Sequence, residues 1–73
     1  MQPMDNQYNA VIKQDEGWWI GWIEEIYGVN CQEPSRESLL KSLSITLKEA
    51  LKLNRDDAIS AAGDGFEELK ISL

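Results

Sequence analysis

Gly17-Trp18-Trp19-Ile20-Gly21-Trp22-Ile23-Glu24-Glu25-Ile26-Tyr27-Gly28 is the run on which the fold turns. Trp18 to Glu25 is rich in the aromatic and β-branched residues that suit a pleated surface, and Ile26-Tyr27-Gly28 turns the chain, so the run reads as a strand bounded by turns. Successive side chains of a strand point to opposite faces. Trp18, Ile20 and Trp22 therefore share one face, and Trp19, Gly21 and Ile23 share the other. Both faces are apolar, so both need cover.

Upstream, Tyr8, Ala10 and Ile12 alternate with Asn9, Val11 and Lys13, which predicts a first strand over Gln7 to Gln14. Asp15, Glu16 and Gly17 form the tight turn between the two strands. Downstream, Val29 to Gln32 reads as a short third strand, and connections this short imply an antiparallel meander. Pro34 and Ser35 then announce a helix, with Ser35 as its N-cap and Glu37 in the first turn, where the helix dipole favours negative charge. Its expected span is Arg36 to Leu53. Leu39, Leu40, Leu43, Leu47, Ala50 and Leu51 make one apolar stripe, while Lys41, Lys48, Glu49 and Lys52 point away, with Ile45 as an isolated aliphatic among them.

Asn54 reads as the end of this helix and the cap of a short second one, Arg55 to Ala62, with Asp57 at the capping-box position and Gly63 behind the last turn. In Glu67 to Leu73, Leu69, Ile71 and Leu73 alternate with Glu68, Lys70 and Ser72, which predicts a fourth strand. A helical crossover joins parallel strands, so that strand is expected beside the first. The predicted architecture is a single α+β domain over residues 1–73: a mixed four-stranded sheet, β-β-β-α-β, order 3-2-1-4, with one main helix on one face.

A single helix covers a single face. Gly21 marks which, because a residue without a side chain lets the helix approach closely. Trp19, Gly21 and Ile23 are then covered, and Trp18, Ile20 and Trp22 are left as an open patch that points to self-association, as a homodimer or higher oligomer, or to a partner. The competing expectation is that the second helix or the amino-terminal tail folds over the patch. Aromatics on an open sheet also describe RNA-binding platforms, but the Lys and Arg that accompany them are missing.

Composition leads to association by another route. With 73 residues the core supplies few kcal/mol, and one cysteine, Cys31, with no histidine gives neither an internal disulfide nor the common zinc ligand sets. A net charge of −6, from 13 acidic against 7 basic residues, repels nucleic acid and favours a basic partner. Residues 1–7 lack a secretory pattern, and no stretch reaches the roughly 20 apolar residues of a membrane helix, so a cytoplasmic protein with a reduced thiol is expected.

The run from Gly17 to Gly28, followed by Ser35-Arg36-Glu37-Ser38-Leu39 and by Lys48-Glu49-Ala50-Leu51 late in the helix, resembles the HicB-like antitoxins. The resemblance extends from Tyr8 to Leu73. It implies a partial RNase H-like fold of strand order 3-2-1-4, in a short form without the carboxy-terminal DNA-binding domain of full-length members. It also implies a partner, HicA, a small basic RNase toxin whose active site the antitoxin blocks. Glu24 and Tyr27 stand where the family often has proline, Val29 where it often has cysteine, and Glu33-Pro34 replaces the glycine common before the helix.

An RNase H-like fold raises the question of two-metal phosphodiester cleavage. The candidate acids are Asp15, Glu24, Glu25, Asp56 and Asp57, and they lie at strand ends and caps without a converging set. With no histidine, no phosphate-binding glycine loop and no serine or cysteine beside a base, the chain reads as a non-enzyme without cofactor or metal. Cys31 reads as a small strand residue.

Overall fold

The computed structural model describes residues 7–72, and the class is α+β. Strands β1 (Ala10–Asp15), β2 (Trp18–Ile23) and β3 (Asn30–Glu33) form an antiparallel sheet of order β1-β2-β3, and a single helix, α1 (Arg36–Ala62), packs against it. β1 and β2 are joined by Glu16 and Gly17, whose φ angles are 50° and 87°. Positive φ at both central residues is what a two-residue hairpin with the right-handed strand twist demands. Gly17 adopts it without strain, and Glu16 does so at some cost.

The register fixes the faces. Val11, Lys13 and Asp15 lie opposite Trp22, Ile20 and Trp18, while Ile12 lies opposite Gly21, which in turn faces Cys31 of β3. α1 covers the side that carries Ile12, Trp19, Gly21, Ile23 and Cys31. At Gly21 the approach is so close that a Cβ would sit 3.2 Å from Leu39 Cδ2. Leu39, Leu43, Ile23 and Val29 are the buried core, with Tyr8, Ile12, Trp19, Ile26, Cys31, Leu47 and Ala50 packed round them. Two polar contacts pin the layers together: Ser42 Oγ donates to Glu33 Oε2 at 2.7 Å, and Cys31 Sγ lies 3.6 Å from Thr46 Oγ1. Leu40, expected on the apolar stripe, is exposed.

The N-terminus of α1 follows the sequence. Ser35 accepts from the Ser38 backbone N–H at 3.1 Å, and Ser38 Oγ accepts from the Ser35 N–H at 3.3 Å, a reciprocal cap in which serine plays the part usually given to glutamate. The C-terminal half does not follow it. The helix runs unbroken through Asn54 to Ala62 and is capped by Gly63, whose N–H donates to Ile59 C=O at 3.3 Å. No glycine or proline stands between Pro34 and Gly63. Asparagine inside a helix costs well under ~1 kcal/mol, and the i,i+4 pair of Lys52 with Asp56, at 2.9 Å, bridges the position.

The extra length explains the largest correction. The four-stranded sheet of order 3-2-1-4 is replaced by a three-stranded one, because residues 66–72 form no strand; Leu73 lies outside the described residues. A helix ending at Leu53 would have released the chain level with the sheet. The additional residues carry it about 13 Å further along the helix axis. The tail then lies along the outer turns of α1, with Arg55 Nε 3.3 Å from Glu68 Oε2 and Phe66 beside Ala58, Ile59 and Ala62. Pairing within the sheet is spent on three strands, and β1 and β3 remain edges.

The resulting molecule is elongated. Its radius of gyration is 15.3 Å against about 11 Å for a compact domain of this length, and it exposes 6236 Å² against about 4,600 Å² for a compact monomer of this mass.

Candidate functional site

The surface that stands out is the sheet face turned away from α1. Within the ladder it carries Val11, Lys13 and Asp15 of β1, Trp18, Ile20 and Trp22 of β2, and Asn30 and Gln32 of β3. Trp18 is 46 % exposed, Trp22 40 % and Val11 37 %, with Ile20 half-buried between the two indoles. The sequence-derived set Trp18, Ile20 and Trp22 is therefore gathered on one surface, as the alternation of β2 required. Val11 was missed, although its place opposite Trp22 follows once the hairpin register is known. The outer half of α1 extends past the sheet, and the tail from Phe66 follows it. The amino-terminal tail named as a possible cover lies, through residue 6, outside the described residues.

The candidate acids do not converge. Asp15 ends β1 at the hairpin, Glu24 and Glu25 begin the loop between β2 and β3 at the opposite end of the sheet, and Asp56 and Asp57 lie on the outer part of α1. Among the described residues no three carboxylate or thiol groups are placed to hold a metal ion. An open cleft of about 360 Å³ lies at the loop between β2 and β3, lined by residues 22–30. Its carboxylates are Glu24 and Glu25, and Glu25 is committed to the fold. It accepts the Asn9 backbone N–H at 2.9 Å and the Asn9 side-chain amide at 2.6 Å. This clamp ties the start of β1 to the loop.

The Asn9 backbone N–H is the main cause that holds the Glu25 carboxyl below its ordinary value of 4.5; slight desolvation opposes it, and the Asn9 side chain and Glu25's own backbone N–H add to it. The charged form is favoured by folding, so the clamp contributes fully above the unfolded value and is lost as the pH falls through the lowered folded value. In an acid titration followed by NMR, the Asn9 amide is expected to shift with a midpoint below 4.5, and Glu25→Gln should abolish the shift. An Asn9 amide insensitive to acid in the native chain would contradict the clamp.

Two ion pairs, Lys52–Asp56 and Arg55–Glu68, occur among the described residues, both on exposed side chains of α1 and the tail. Among the described residues no other carboxylate pairs with a lysine or arginine; Glu25 is held by Asn9 and Glu33 by Ser42. Cys31 is half-buried against Thr46, in the packed layer and away from any base. No helix among the described residues is long and apolar enough to cross a membrane. Comparison of the chain with protein-family models, with curated proteins and with solved structures finds no match.

Proposed function

We propose that this chain is a non-catalytic protein-binding module of the HicB-like antitoxin kind, acting in the cytoplasm by holding a small basic RNase toxin. The observation that carries the reading is the uncompensated acidic surface: a chain of net charge −6 in which, among the described residues, only Asp56 and Glu68 pair with a lysine or arginine. Such a field speeds encounter with a basic protein and disfavours acidic competitors and nucleic acid. The resemblance now rests on the hairpin, the third strand and the helix, since the fourth strand it implied is not formed.

The test is purification of the chain from its native cell at low salt, with identification of whatever remains bound. A small basic protein is expected to co-purify, to dissociate as salt screens the attraction, and to cleave RNA only once released. A chain that emerges alone at low salt sinks the toxin reading and leaves its rival, an orphan homo-oligomeric scaffold. The half-exposed indoles of Trp18 and Trp22 are what favour that rival.

A further inference from the structure

We infer that the open sheet face is the interface between two copies of this chain, and that a basic partner binds elsewhere on the molecule. Three observations lead there. The face is apolar at its centre, and no element among the described residues covers it: α1 packs on the opposite side of the sheet, and the tail follows the outer turns of α1. Soluble monomers seldom leave two neighbouring indoles and a valine in water in this way.

The second observation is charge. The chain as a whole carries −6, yet within the ladder the charged residues on this face are one lysine, Lys13, and one aspartate, Asp15. Two acidic copies repel each other over most orientations, and this neutral patch is where they meet without that penalty. A basic partner gains little electrostatic attraction from so neutral a patch. Charge therefore selects a second copy as the occupant.

The third is self-complementarity, which a two-fold interface requires because the same patch is used twice. Lys13 and Asp15 are two residues apart on one strand, about 7 Å. If the β1 strands of the two copies run antiparallel across the interface, each lysine meets the other copy's aspartate while Trp18 of one copy packs on Ile20 of the other. The footprint, roughly 20 Å by 14 Å or about 280 Å² per copy, lies below that of stable specific interfaces, so the dimer is expected to be weak and rapidly exchanging.

This inference deepens the association reading without depending on a toxin, and its test uses the full chain alone. Sedimentation velocity over a dilution series reaching about 1 mM, where even a dissociation constant of about 1 mM already fills the dimer substantially, is run beside tryptophan emission. The native chain is expected to approach twice its 8.3 kDa, with emission moving to shorter wavelength as it associates. Ile20→Asp and, as a second variant should the first fail to fold, Trp18→Asp are expected to weaken association by at least about tenfold with an unchanged circular dichroism spectrum, because each places a charge where the two copies' sheets overlap. Ile45→Asp, on the exposed side of α1, should leave the dimer intact. A native chain that stays monomeric throughout overturns the inference, and shielding of its indoles from acrylamide would assign the face to residues 1–6. Folded variants that dimerise like the native chain also overturn it. So does a native monomer whose capture of a basic protein is abolished by Trp18→Asp, which would give the face to that partner.

Discussion

Leu39→Ala is expected to remove most of the stability of the fold. Leu39 is wholly buried, and it is one of four buried residues, with Leu43, Ile23 and Val29, on which the contact between helix and sheet depends. Removing a buried leucine side chain costs about 2–5 kcal/mol, the higher values where the surroundings cannot collapse into the cavity. The cavity would open where the helix lies close to β2, since a Cβ on Gly21 would sit only 3.2 Å from the Leu39 Cδ2 methyl that is lost. A core in a domain this small supplies only about 3–5 kcal/mol in total, so the loss is comparable with the whole. Thermal unfolding followed by circular dichroism, at matched protein concentration because association raises the apparent midpoint, should show Tm lowered by ~10–25 °C or no cooperative transition. A Tm within ~5 °C of the native one would mean that the core lies elsewhere.

Gly21→Ala tests the same layer from the other side. The added Cβ would lie 2.9 Å from Ile12 Cγ2, 3.0 Å from the Val11 carbonyl oxygen and 3.2 Å from Leu39 Cδ2. The leucine methyl can retreat by rotation. The isoleucine branch is stiff, and the carbonyl belongs to the strand paired with β2, so relief requires moving the backbone of β1. Overpacking of this kind costs about 1–3 kcal/mol, partly offset by the ~0.5–1 kcal/mol that alanine gains over glycine in a strand. A net loss of about 1–2 kcal/mol is expected, read as a lower denaturant midpoint at unchanged slope. A variant as stable as the native chain would show that the helix does not press on this glycine.

Much of the layer structure was legible in the strand that holds these residues. The alternation Trp18 to Ile23 contains both faces, and the missing side chain at Gly21 tells which one the helix takes. Ser35 was legible as a cap because Pro34 precedes it and an apolar stripe follows. What was not legible was distance along the helix. Asn54 looks like a stop by local preference, but preference at one residue is weak beside continuous hydrogen bonding with no glycine or proline before Gly63. That misreading propagated: the alternation of Leu69 and Ile71 is strand-like, yet a helix of 27 residues releases the chain away from the sheet edges, and both side chains stay exposed. Pattern reports what a segment could do, and the length of its predecessor decides whether it arrives.

The two open margins of the sheet have a consequence for behaviour at high concentration. β1 and β3 each present one rail of backbone amides and carbonyls to water, the feature through which sheets zip together without limit. A surplus of carboxylates, with Asp15 and Glu16 at one hairpin tip and Glu24 at the far end, makes lateral growth electrostatically uphill, while the neutral face stays open to stacking. Colloidal repulsion thus steers encounters toward a closed pair and away from a fibril.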